Sequence, residues 1–271
     1  MNKSYILYCA RCFFLFMIVG QSAIVVAAPK ECDKPLMLST TSNWPPYIYK
    51  DTDQQYKGID LELLESILAE LGCELVITQY PERRSLYEIS QGRFDIGLGA
   101  SKNKQRLKLH RYSTLYRQEV NRFAYRINDN DIAKAKSLQD ILLLEKIIAI
   151  NLAGWYGDAI EKAIAGHNNF IFSDNISKRI KMLNHHRVDI VVDDEMVLCH
   201  ELTNSAYQDM SIHSLVLSEN SIHFIFNKQK ISKAFVTQFN TILDRMRSDG
   251  TLAYHFTKKS TNICDNDELY R

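Results

Sequence analysis

The chain has 271 residues, 46% of them apolar and 24% charged. That is room for two compact lobes or one large domain with a sizeable core. A formal net charge of +1 leaves no electrostatic footprint for nucleic acid, and no internal repeat or low-complexity tract is visible.

At the N-terminus, Lys3 and Arg11 precede an apolar run over 12–20, and Val25-Val26-Ala27-Ala28 then offers a small-residue cleavage site. This is the layout of a secretory signal peptide over residues 1–28, because the run is shorter than the roughly 20 residues a membrane span needs. No cysteine stands at the cleavage point, which argues against a lipid anchor. Export would leave four cysteines, Cys32, Cys73, Cys199 and Cys264. In an oxidising compartment an even count permits two disulfides, with three possible connectivities. Cys32 and Cys73 bracket a strand and helix that read as a β-α-β unit, so Cys32–Cys73 is the preferred bridge and Cys199–Cys264 the remaining one. Buried free thiols are the alternative.

Leu36–Thr40 reads as a strand, and Trp44-Pro45-Pro46-Tyr47 as a turn, since consecutive prolines suit neither a helix nor a central strand. Leu61, Leu64, Ile67, Leu68 and Leu71 form a helical stripe that Gly72 ends. A strand over 75–77, a helix carrying Leu86 and Ile89, and a strand over 94–98 follow. The last of these stops at Gly99-Ala100, ahead of a polar segment that ends in Arg106. The alternation predicts a parallel α/β sheet. It restarts with strands over 121–126, 147–150, 170–172 and 188–192, the last running into Asp193-Asp194, with helices over 157–165 and 176–183 between them. A strand over 222–226 and a long helix carrying Phe235, Phe239, Ile242, Leu243 and Met246, closed by Gly250, complete the pattern. Two α/β lobes are predicted, the second inserted in the first.

In order, Trp44-Pro45-Pro46-Tyr47, Tyr56-Lys57-Gly58-Ile59-Asp60, Gly92-Arg93-Phe94-Asp95, Gly99-Ala100-Ser101 with Arg106, and Tyr112-Ser113 resemble the solute-binding proteins of polar amino-acid ABC importers. These have the type II periplasmic-binding fold. In the second half, Gly154 stands near the family's Gly-Thr, and 188–194 matches its strand ending in a ligand-binding Asp. The resemblance covers essentially the whole exported chain. It implies a signal peptide over 1–28, a first lobe over 29–125 and 221–271, a second lobe over 126–220, and hinge crossings near Tyr125 and Ser221. It implies a periplasmic monomer that closes on an amino acid or amino-acid-like solute and hands it to a membrane permease, with no catalysis, cofactor or metal.

The resemblance further implies ligand-binding roles for Arg106, Asp194, Asn103, Ser101, Trp44, Tyr47, Glu82 and Gly154. Arg106 would pair with the α-carboxylate, for which a guanidinium is suited by its two-pronged geometry and permanent charge; the alternative is a solvated helix arginine. Asp194 would meet the α-ammonium, with adjacent Asp193 able to take its place; either residue can instead cap a helix. Trp44 and Tyr47 would wall the side-chain pocket or simply pack around the Pro-Pro turn, and Glu82, if it faces the cleft, would favour a cationic or polar ligand side chain; the alternative is a solvated carboxylate at a helix start. Two other readings use the same fold: a secreted cyclohexadienyl-dehydratase-like enzyme with Glu82 or Asp194 as the acid, and a binding protein that presents its ligand to a sensor. His185-His186 lacks a third metal ligand. No nucleophile elbow, P-loop, zinc-protease or EF-hand pattern is present.

Overall fold

The computed structural model describes residues 28–40, 43–80, 91–152, 154–203, 205–260 and 264. The expected signal segment up to Ala27, Glu82, the helix expected around Leu86 and Ile89, and Ala153 lie outside them.

The chain first builds β1 (Leu36–Thr40), a small hairpin of β2 (Tyr49–Lys50) and β3 (Tyr56–Lys57), α1 (Ile59–Leu71), β4 (Leu75–Gln79), β5 (Ile96–Ser101), α2 (Lys104–Leu109), β6 (His110–Tyr112) and β7 (Arg117–Arg126). The predicted stripe of α1 is buried, and Gly72 takes the left-handed conformation, φ 74°, that ends the helix. The middle of the chain builds α3 (Asn130–Ala133), α4 (Leu138–Leu143), β8 (Ile148–Ile150), α5 (Asp158–Gly166), β9 (Phe170–Phe172), α6 (Ile176–Asn184), β10 (Ile190–Asp194), α7 (Glu195–Leu202) and β11 (Met210–Ile212). β12 (Ser218–Asn227), α8 (Lys233–Ser248) and α9 (Thr251–Ser260) return to the first half.

Among the described residues the strands form one mixed sheet in the order β4-β1-β5-β12-β7-β10-β8-β9, with β6 on β12 and β11 on β7. The parallel sheet predicted from the alternation is present at both ends: β1 runs parallel to β4 and β5, and β8 parallel to β9 and β10. At the centre the expectation is corrected, because β7 and β12 pair antiparallel to each other and to their outer neighbours. They carry the chain out to the inserted half and back again, so they must run in opposite directions. The domain limits expected at 125/126 and 220/221 fall at the end of β7 and within β12.

Each half has its own apolar core. In the first half, Leu38, Leu64, Ile67 and Ile96 pack with Phe224, Phe226, Phe235 and Phe239. In the second, Val191 packs on one side of the sheet with Ile180 and Leu198, while Ile190 and Val192 pack on the other with Ile148 and Ile160. That side-to-side alternation explains why β10 opens on an apolar run over 190–192: both of its faces are covered there.

Three further boundaries differ from the sequence reading. The strand expected over 94–98 runs over 96–101, so Gly99-Ala100 lies inside it rather than ending it. Gly99 has φ +61°, and a Cβ there would lie 2.8 Å from the Trp44 ring. A small residue with positive φ therefore lets the tryptophan close over the strand. The strand expected over 188–192 runs over 190–194 and includes both aspartates. Past Gly250 the chain continues into α9. The cysteines pair as Cys32–Cys73 and Cys199–Cys264, with Cα separations of 4.6 and 5.3 Å, inside the usual disulfide range. Among the described residues no helix is long and apolar enough to cross a membrane.

Candidate functional site

A cavity of about 210 Å³ opens where the two halves meet. The first half contributes Ser39, Thr40, Trp44, Ser101, Arg106 and His110 to its walls; the second contributes Asn151, Gly154, Trp155, Tyr156, Asp174 and Asp193; Glu119 of β7 stands between them.

The positive side is built by the end of β5 and the start of α2. The Asn103 side chain caps this helix, its Oδ1 accepting the Arg106 backbone N–H at 2.8 Å. The Arg106 guanidinium bends back so that Nη1 donates to the Ser101 carbonyl at 3.1 Å. Burial draws the Arg106 pKa down, but from so high a starting value that the group keeps its charge. His110 below it is pushed down to about 4 by burial, then by Arg106 and Lys228. It is therefore neutral at pH 7.

The opposite side comes from the C-terminal end of β10, where successive side chains point to opposite faces of the sheet. Asp193 lines the cavity. Its Oδ1 accepts from Trp44 Nε1 at 3.2 Å and from the Asp194 backbone N–H at 2.8 Å, and its Oδ2 from buried Arg179 at 2.5 Å. Asp194 is not among the residues that line the cavity. Its Oδ1 accepts from the Met196 amide at the start of α7 and from the Tyr47 hydroxyl, both at 2.9 Å, and its Oδ2 lies 3.5 Å from Arg117 Nη1. Arg117 Nε is 3.2 Å from Asp60, which also accepts from Tyr116 at 2.5 Å, and the guanidinium lies 3.6 Å from the Tyr47 ring centre. Asp60, Arg117 and Asp194 are 0, 7 and 2% exposed. Burial pushes Asp194 up to about 7 and Arg117 opposes it.

The structure thus gathers Trp44, Ser101, Arg106 and Gly154 of the expected residues at one cavity, together with Asp193. Asp194 and Tyr47 touch each other outside its lining. Asn103 spends its side chain on the helix cap and lies at a shallower depression on the rim with Lys102, Trp155, Asp158 and Glu161. Glu82 lies outside the described residues. Sequence reasoning missed Arg117, Glu119, Asp174, Tyr156 and Arg179. A signal for the first two existed: Arg117, Glu119 and Asn121 are polar residues at strand spacing, and all three are buried. Among the described residues no cluster of His, Cys, Asp or Glu is placed to hold a metal ion.

Comparison with known proteins gives a consistent result. A family model described as bacterial extracellular solute-binding proteins, family 3, matches residues 36–258. A Haemophilus influenzae protein described as a probable amino-acid ABC transporter-binding protein is 22% identical over 228 residues, 84% of this chain and 85% of that one. The solved structure of AbpA, an amino-acid ABC transporter substrate-binding protein from Streptococcus pneumoniae bound to L-arginine, superposes with a TM-score of 0.72. It is 22% identical, over 86% of this chain and 98% of that one. An ancestral amino-acid-binding protein, described as a precursor of cyclohexadienyl dehydratase, superposes with a TM-score of 0.68 at 20% identity, over 84% of this chain and 96% of that one. At these identities the structural likenesses establish the two-lobed fold.

Proposed function

Because the chain belongs to the bacterial extracellular solute-binding proteins of family 3, we propose that it captures an amino acid or amino-acid-like solute in the periplasm. It delivers this solute, unchanged, to the permease of an ABC importer. The observation that carries this reading is one small cavity, walled by both halves, with the Arg106 guanidinium on one side and carboxylates on the other.

A zwitterion fits such a site. Its carboxylate takes the two-pronged guanidinium, its ammonium takes the acidic wall, and Trp44 and Trp155 cover what remains. Neither half alone satisfies both ends of the ligand, so binding favours the closed arrangement. Hinge motion is assigned to β7 and β12, which join the halves. The volume is below the ~300–1,000 Å³ of pockets for drug-sized ligands, which suits a solute of amino-acid size. The description of the Haemophilus relative and the L-arginine in the pneumococcal structure support the same ligand class.

The test is a thermal-shift screen against the twenty protein amino acids, followed by Arg106→Gln. A ligand present at about 100 times its Kd stabilises by about 2.7 kcal/mol if it binds only the folded state, and the variant should lose most of that gain. No shift with any amino acid would remove the reading. Recovered ligand should have unchanged mass; material lighter by water and carbon dioxide would instead identify a dehydratase.

A further inference from the structure

We propose that Glu119 is the carboxylate that receives the ligand's ammonium group, Arg117 having taken that place at Asp194. This inference rests on the amino-acid reading above and assigns the acidic half of the same site.

Three buried carboxylates of β7 and β10, Asp194, Asp193 and Glu119, differ in what already neutralises them. Asp194 has Arg117 beside one oxygen, with a hydroxyl and backbone amides on the other. Asp193 has Arg179 on one oxygen, with the Trp44 indole and a backbone amide on the other. Each therefore faces a cation of the protein and has little left to offer a ligand. Glu119 is different. It is 8% exposed and lines the cavity, and both its hydrogen bonds, from the side-chain amides of Asn121 at 3.1 Å and Asn220 at 3.3 Å, go to Oε2. Among the described residues no cation lies within ion-pair distance of it.

The hydrogen bonds of Glu119 come only from neutral donors, and the cation that acts on it most, Arg117, does so from beyond ion-pair distance. The two amides fix its orientation and leave Oε1 for a partner. Arg106 stands close enough to sense the Glu119 charge, so a small molecule can bridge the two. The ligand class that follows carries one anionic and one cationic end, as a free α-amino acid does, and the ammonium supplies the charge that Glu119 lacks.

The test compares an amino acid with its α-hydroxy analogue, which keeps the carboxylate and lacks the ammonium. Isothermal titration would use the tightest-binding L-amino acid of the twenty and the hydroxy acid of the same side chain, against the wild type, Arg106→Gln, Glu119→Gln and Glu119→Asp. Glu119→Gln should weaken the amino acid by about thirtyfold or more and leave the hydroxy acid within about threefold. Glu119→Asp, which keeps the charge, should recover part of the loss. Equal loss of both ligands, or undiminished amino-acid binding, would overturn the proposal. Arg106-dependent binding that ignores Glu119 sinks this inference alone, whereas a wild type that binds none of the twenty sinks the amino-acid reading with it. If Glu119→Gln fails to fold, the ratio of the two affinities in Glu119→Asp decides between the outcomes: a ratio shifted toward the hydroxy acid supports the proposal, and a ratio equal to that of the wild type overturns it.

Discussion

Asp194 and Glu119 sit near each other at the centre of the sheet, since Asp194 pairs in register with Asn121, two residues from Glu119. Both are almost fully buried, yet their surroundings differ in kind. Asp194 belongs to a knot of Tyr47, Asp60 and Arg117 in which one guanidinium serves two carboxylates within the protein. Glu119 belongs to a wall held by neutral amides and open to a cavity. A buried carboxylate next to a guanidinium has its countercharge built in and serves cohesion. One that lacks it is poised for something that arrives. Burial alone does not separate the two roles; the accounting of counterions does.

That contrast can be broken or sharpened by measurement. The largest effect belongs to Arg117→Met, which strands Asp60 and Asp194 in the interior. Urea denaturation should show a loss of about 3–5 kcal/mol, and a loss below about 1 kcal/mol would mean the knot is not what holds that region. Next comes Trp44→Phe, which keeps the ring over Gly99 but removes the indole donor to Asp193. A bond to a charged acceptor contributes about 1.5–3 kcal/mol, and the variant should lose close to that by the same assay. Glu119→Gln, measured without ligand, should change stability by less than about 1 kcal/mol or raise it, because it removes a buried charge that has no ion-pair partner. A loss as large as that of Arg117→Met would place Glu119 among the cohesive residues and erase the contrast.

The smallest effect is a tilt in the pH profile. Burial first, and then Arg106 and Lys228, hold the His110 pKa at about 4 in the folded protein against 6.5 for the ordinary side chain. The unfolded chain therefore takes up that proton first as pH falls. The stability from neutral His110 is complete above pH 6.5 and is lost progressively toward pH 4. His110→Gln should flatten this part of the curve relative to the wild type, and parallel curves would show that the cavity floor does not exclude the charge.

Much of the architecture was legible because its causes are local. The stripe on α1 follows helical spacing, the start of β10 is apolar on both faces, and Asn103 is a cap residue that starts the helix carrying Arg106. The cysteine pair flanking the first strand and helix was legible for the same reason. What was not legible depends on long-range pairing. Arg117 and Asp194 are 77 positions apart, and nothing in either neighbourhood announces that they meet. Tyr47 and Asp194, both expected at the ligand, hydrogen-bond each other at 2.9 Å and lie outside the cavity lining. The apolar run places the strand two residues too early, because a strand covered on both faces gives no alternation from which to read its ends.

The Cys199–Cys264 bridge adds a mechanical constraint to this picture. β7 and β12 are the two places where the backbone passes between the halves, but α7 begins at Glu195 and carries Cys199, while Cys264 follows the end of α9 at Ser260 by four residues. Leu252 of α9 is packed into the core of the first half, so the tail acts as a leash from one half to the other. Four residues span at most about 14 Å when drawn out. The gape of the cleft therefore has a covalent stop, and reduction of that bridge would lengthen the travel of the jaw without touching a residue of the cavity.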